Sequence, residues 1–150
     1  MGQWGQRKKR NWQHTILYNE EDFVERVRDI TKGQGVPVVF DSVGKTTFLK
    51  SFQCLQPRGM VVNFGQSSGK VPLMDMGVLA AGSYFLTRPT LGPYTDSKES
   101  LHLRADDLFN VMKSGAVHSH INQKYQLDDA VQVHIDLERR ATTGASLILP

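Results

Sequence analysis

Two stretches of this chain leave few options for its fold: residues 36–44 (VPVVFDSVG) and 59–69 (GMVVNFGQSSG). Each is a short apolar run without the alternation of a half-exposed strand, and each stops at a cluster of Gly, Ser and polar residues. That pattern predicts a parallel strand buried on both faces, with its carboxyl end opening into a crevice. Ligands of open α/β sheets gather at such ends, so Asp41, Ser42, Gly65, Gln66 and Ser67 are the first candidates for function.

The rest of the chain supplies the crossovers. His14 to Tyr18 (HTILY) is β-prone, and Asn19 stands where it would cap a helix over residues 20–31. In that helix Phe23, Val24, Val27 and Ile30 share a face, while Glu20, Glu21 and Asp22 favour the dipole of the first turn. Gly33 and Gly35 end it. After the strand 36–40 the period turns helical over 46–55, with Phe48, Leu49, Phe52 and Leu55 on one face, until Pro57 and Gly59 stop it before a strand at 60–64. Strand, helix, strand, helix, strand predicts parallel pairing through crossovers. Residues 66–77 read as a loop with a short helical turn near 74–79, and residues 83–87 (SYFLT) as a further strand. The longest helix spans 96–114, opened by Asp96 with Glu99 and closed at Gly115. Residues 121–127 are extended, Asp128 caps a last helix through Arg140, and a strand at 146–149 closes the chain.

Composition narrows the function classes. A chain of 150 residues, 39% hydrophobic and 22% charged, is an ordinary soluble globular domain. No run approaches the roughly 18 continuous apolar residues of a membrane span, and no secretory core follows Met1, so a cytoplasmic protein is expected. The single cysteine, Cys54, excludes an internal disulfide or a cysteine-rich zinc site and reads as a small buried hydrophobe. The five histidines lack ligand spacing, and no metal is expected. Much of the net charge of +3 comes from Arg7-Lys8-Lys9-Arg10, in a polar leader over residues 1–11. Four cations can neutralise phosphates of a nucleic acid. The run is short and has no recognition-helix pattern beside it, so a disordered, solvated tail is the plainer reading.

Five stretches together, YNEEDFVERV, VVFDSVG, CLQPRGMVVNFGQSSG, FLTRPTL and ERRATTGASLILP, resemble the C-terminal portion of the NADPH-dependent quinone oxidoreductases. These form the zinc-free, zeta-crystallin-like branch of the medium-chain dehydrogenase/reductases, and the resemblance runs from about Trp12 to Pro150. It implies an α/β fold: a partial Rossmann-type, doubly wound parallel sheet lacking its first two strands, with a C-terminal segment belonging to a GroES-like catalytic domain. Residues 12–122 would be the partial NADPH-binding domain and 123–150 the segment returning to the catalytic domain. Residues 14–18, 37–41, 60–64 and 83–87 would be the third to sixth strands in the order 3-2-1-4-5-6. Homodimerisation through Ser83 to Pro89 (SYFLTRP) is also implied. The Gly-rich turn that meets a pyrophosphate is not found in the 150 residues, and the expectation is therefore half a cofactor site in a truncated chain.

Within this resemblance the cofactor-binding candidates are Tyr18, Ser42, Phe64, Gly65, Gln66, Ser67 and Arg140. Tyr18 matches a tyrosine near the 2′-phosphate and adenosine ribose, against the plainer reading of a surface aromatic at a strand end. Ser42 matches a position beside the cofactor, or else satisfies a local turn. Phe64 to Ser67 match a loop whose backbone nears the nicotinamide, where a glycine at 65 would leave room for close approach. Arg140 matches an arginine that reaches the cofactor from the C-terminal side, or is a helix-end cation favouring the dipole. Arg88 serves either the cofactor or the subunit contact, and Asp41 caps the next helix. No catalytic acid or nucleophile is expected, since the reactive atom belongs to the cofactor. The pairs Asp106-Asp107 and Asp128-Asp129 diverge on a helix and read as solvated groups.

The expected function is electron or hydride transfer from NADPH to a quinone, with weak or no activity from this chain alone. Two rivals stand beside it: a non-catalytic dimerisation or nucleic-acid-binding module, and an enoyl or carbonyl reductase of the same superfamily.

Overall fold

In the computed structural model, which describes residues 13–139 and 141–150, the first helix, α1, spans Phe23–Ile30. Its cap is Asp22 and not the expected Asn19: the Asp22 carboxylate accepts from the amides of Val24 and Glu25. An aspartate with extended backbone immediately before the first helical residue reaches those amides, and Asn19 is taken up in a turn. The strand expected at 14–18 does not form. Instead the Leu17 carbonyl accepts from the amides of Glu20 and Glu21, at 2.7 and 2.9 Å. A strand exists only against a partner. In the implied strand order this segment's neighbour is not among these residues.

Three strands make the first sheet: β1 (Val36–Asp41), β2 (Leu55–Asn63) and β3 (Phe85–Thr87), in the order β1-β2-β3, all parallel. The connection from β1 to β2 is shorter than the expected helix over 46–55: a single α-helical turn, α2 (Phe48–Ser51), followed by a 3₁₀ turn at Phe52–Cys54. Leu55 leaves the helix to pair with Val36, whereas Val38 already pairs with Met60. The intervening residues bulge out of the ladder, where Pro37 and Pro57 have no N–H to give and Arg58 takes a φ of +62°. Between β2 and β3 lies a loop with one short helix, α3 (Gly77–Ala80).

Packed on this sheet is an apolar core cluster: Phe48, Phe52, Leu55 and Val61, with Tyr84, Val36 and Val39 against it. The α2 turn is held there by Phe48 and Phe52, whose rings meet edge to face at 5.4 Å. Burying Val61 completely contributes about 1.5–3 kcal/mol. Cys54 is buried as expected, and burial pushes its thiol up to about 11, which keeps it unreactive near neutrality.

The chain divides into two compact units after Leu91. The second, from Gly92 to Pro150, holds the long helix α4 (Lys98–Lys113), the strand β4 (Ile121–Gln126), the helix α5 (Ala130–Glu138) and the strand β5 (Ala145–Leu149), with β4 and β5 parallel. The expected Asp96–Glu99 start of the long helix is replaced by a capping box of Ser97 and Ser100. Asp128 lies in a 3₁₀ turn at Leu127–Asp129 and does not cap α5, whose preceding residue is Asp129. Within this unit Tyr125 on β4 donates to the Asp136 carboxylate on α5 at 2.9 Å, and that bond raises the Tyr125 pKa. The proposed domain boundary at 122/123 concerns membership in a longer protein and differs in kind from this division. The basic leader and Arg140 lie outside the described residues.

Candidate functional site

The carboxyl ends of β1, β2 and β3 lie side by side, because the three strands are parallel and in register: Asp41 pairs with Asn63, and Val62 with Thr87. From these ends run two loops, residues 42–47 and 64–76, which are joined by a dense set of bonds. The Asp41 carboxylate Oδ1 accepts from the amides of Val43 and Gly44 at 2.8 and 3.1 Å and from the Thr47 hydroxyl at 2.9 Å. It therefore shapes the turn out of β1 instead of capping α2 directly. The amides of Ser67 and Ser68 donate to the carbonyls of Ser42 and Val43, and the Ser68 hydroxyl donates to Val43 as well. On the other side the Lys45 amide donates to the Gly69 carbonyl.

This interlocking explains one glycine. A Cβ at Gly65 would stand 2.6 Å from the Ser42 carbonyl oxygen and 3.0 Å from its Cα, so the close approach Gly65 permits is to the neighbouring loop. The sequence suggested a close approach to a ligand; within the chain the nearest obstacle is Ser42.

Not every polar group is spent internally. Among the described residues the hydroxyls of Ser42 and Ser67 have no hydrogen-bond partner, and both residues are exposed. Phe64 is 56% exposed beside them, unusual for an aromatic at the end of a buried strand. Gln66 is half committed, its Oε1 accepting from the Val71 amide at 3.3 Å. Tyr18 shares with Ser42 a cleft of about 210 Å³, floored by Val39 to Val43 and flanked by Ile16 and Phe23. Asp41 lines the same cleft at 4% exposure, and its second oxygen, Oδ2, is buried without a partner among the described residues. A buried orphan acceptor is expensive and marks a place that expects a donor.

Of the candidates, then, Tyr18 and Ser42 come together in the cleft, and Phe64, Gly65, Gln66 and Ser67 stand on the adjoining loop. Two residues earned less weight from sequence than the geometry gives them. Asn63, 1% exposed, donates from Nδ2 to the carbonyls of Gly65 and Asp41. Arg88, just past β3, donates from Nη1 to Asn63 Oδ1 at 2.8 Å. The available signal for Asn63 was a polar residue inside an apolar run, VVNFG.

A parallel α/β sheet whose strand ends open into a largely apolar crevice carrying a few polar groups belongs to the Rossmann class of nucleotide-binding folds. The chain belongs to the zinc-binding dehydrogenase family, whose model matches residues 11–147. It is 44% identical over 137 residues to a quinone oxidoreductase of Pseudomonas aeruginosa, covering 91% of this chain and 42% of that one. A 2-haloacrylate reductase of a Burkholderia species is 40% identical over 147 residues, covering 95% and 44%. The crystal structure of Escherichia coli quinone oxidoreductase complexed with NADPH superposes with a TM-score of 0.84 at 46% identity, over 90% of this chain and 42% of that one. The chain thus spans about two fifths of the length of these relatives. Despite the family's description, no group of three His, Cys, Asp or Glu side chains converges among the described residues, and these do not fit a zinc ion.

Proposed function

We infer that these residues are the nicotinamide-side part of an NADPH:quinone oxidoreductase. The observation that carries this reading is the strand-end crevice, with the uncommitted hydroxyls of Ser42 and Ser67 beside exposed Phe64, in a chain 44% identical to a quinone oxidoreductase. NADPH, when bound, supplies the hydride. Ser67 and the backbone of Gly65 and Gln66 would hold its nicotinamide end, the exposed Phe64 ring would shield that end from water, Ser42 would lie beside the cofactor, and Tyr18 would serve the ribose and 2′-phosphate. Arg140, which lies outside the described residues, is proposed as a further cofactor contact on the resemblance alone. The residues fit this half of the cofactor. For the pyrophosphate they offer no Gly-rich helix start, so affinity from these residues alone is weak.

The substrate is a quinone, and residues 12–122 and 123–150 belong to the cofactor-binding and catalytic domains of the family. Homodimerisation runs through Ser83 to Pro89: β3 is the last strand of its sheet, its outer edge is unpaired among the described residues, and Phe85 is 53% exposed. No described helix is long and apolar enough to cross a membrane, and we assign the protein to the cytoplasm. Titrating NADPH by fluorescence, with and without a simple quinone, tests the reading. Weak, saturable binding without turnover is expected. No binding at any concentration sinks the cofactor assignment, and tight binding with turnover sinks the half-site account.

A second reading, reduction of an activated carbon–carbon double bond, is favoured by the 2-haloacrylate reductase at 40% identity. Assaying 2-chloroacrylate beside the quinone, in the presence of any complementing segment that restores turnover, separates the two.

A further inference from the structure

We propose that Asn63 is a positioning residue, which holds the Arg88 guanidinium and the residue 64–66 turn in place at the mouth of the crevice. The register of the sheet sets three polar residues in a row across the strand ends: Asp41 opposite Asn63, and Arg88 one step beyond the Val62–Thr87 pair. Asn63 is the middle member and is 1% exposed. Its neighbours fix which way its amide points. On one side the guanidinium can only donate, so Oδ1 faces it, at 2.8 Å. On the other side the Gly65 and Asp41 carbonyls can only accept, so Nδ2 faces them, at 3.1 and 3.4 Å.

The consequences differ on the two sides. Toward β2's exit, the bond to Gly65 pins the turn carrying Phe64, Gln66 and Ser67 just where a Cβ at residue 65 would already strike Ser42. Toward β3, the bond takes one guanidinium nitrogen of an otherwise exposed arginine and leaves the remaining donors uncommitted among the described residues. A long, flexible cationic side chain is thereby ordered before any ligand arrives. Arg88 makes no ion pair among the described residues, so its charge stays available at the crevice. Asp41 contributes its backbone carbonyl to the same row while its side chain shapes the other loop. Among the described residues Asn63 is therefore the single side chain that bonds to all three strand ends.

This rests on the NADPH reading only for its ligand, and the test separates the two. The full chain and its Asn63→Ala, Asn63→Asp, Arg88→Met and Asn63→Ala/Arg88→Met variants would be compared by nitrogen-15 NMR of arginine side chains and by NADPH titration. The Arg88 Nη–H signal should be resolved in the parent chain, lost in Asn63→Ala, and kept in Asn63→Asp, which retains the acceptor. NADPH affinity should fall about tenfold in Arg88→Met, the worth of one charge-assisted bond, and at least as far in Asn63→Ala, which also frees the residue 64–66 turn, with the double variant no worse than Asn63→Ala. An Arg88 signal unchanged in Asn63→Ala overturns the proposal, as do affinity losses that simply multiply. If Asn63→Ala does not fold, Asn63→Asp and exposed Arg88→Met still decide: an Arg88 signal missing from the folded Asn63→Asp chain overturns it. A parent chain that binds no NADPH fails the functional reading alone, and the guanidinium signal then judges Asn63 by itself.

Discussion

The two compact units solve the same problem to different degrees. Up to Leu91, a sheet and a one-turn helix enclose Phe48, Phe52, Leu55 and Val61, and the loops beyond the strands satisfy one another's backbone. From Gly92 on, the only buried hydrophobe among the described residues is Val133, and no residue of the 16-residue α4 is buried. Leu101, Leu103, Leu108, Phe109, Val111 and Met112 of α4 are all between 38% and 57% exposed. A helix with apolar residues spread round much of its surface is one that other protein normally covers. The contrast teaches that the first unit encloses an apolar core of its own, while the described residues of the second bury almost none of theirs.

The largest expected effect tests that contrast directly. Phe52 is 2% exposed, against Phe48 and Tyr84, and Phe52→Ala should destabilise the chain by about 3–5 kcal/mol in urea unfolding. Phe109, at 54% exposure on α4, should cost no more than about 0.5 kcal/mol on the same change. A loss at Phe109 comparable to that at Phe52 would mean the α4 surface is covered in solution, and the comparison would fail. The next effect is smaller and local to the crevice. Gly65→Ala forces a methyl against the Ser42 backbone and should cost about 1–3 kcal/mol. It should also move the 42–44 loop, so NADPH affinity falls with stability; a chain that keeps both would show that the loops slide past each other freely.

How much of this could be read from the chain follows from what each element depends on. The positions and parallel order of β1 and β2 were legible, since an apolar run ended by Gly and Ser carries its own signal, but the expected burial on both faces was not: in β1 Val38 is 39% and Phe40 72% exposed. The strand at 14–18 was not, because HTILY has the composition of a strand but no partner among these residues. Leu55 fits the helical period of 46–55 and yet pairs with Val36, a contact no local pattern encodes. The caps shifted by one to three residues, from Asn19 to Asp22 and from Asp96 to Ser97, since several adjacent side chains are able to cap and backbone geometry selects one. The site shows the same division. Ser42 and the residues 64–67 loop were visible as strand exits. Asn63 acquires its place only through register, which sets it between Asp41 and Arg88.

The smallest effect belongs to the edge of the first unit, where Asp22 does two jobs. Its Oδ1 caps α1 and its Oδ2 meets the Lys50 ammonium at 2.9 Å, and both hold its carboxyl below the ordinary value of 3.8, with the Lys50 bond the larger cause. Because the folded value is depressed, the contribution is complete above the unfolded value and disappears as pH falls through the folded one. Both partners are largely exposed, so the ion pair itself is worth little and is screened by salt. Asn is as good a cap as Asp but carries no charge. Asp22→Asn should therefore lower Tm slightly at neutral pH and low salt, and the gap to the parent chain should close both in acid and in high salt. Asp22→Ala removes the cap as well and should keep a deficit in high salt. If the two variants melt alike under every condition, the cap contributes nothing, and α1 is held by the burial of Val24 alone.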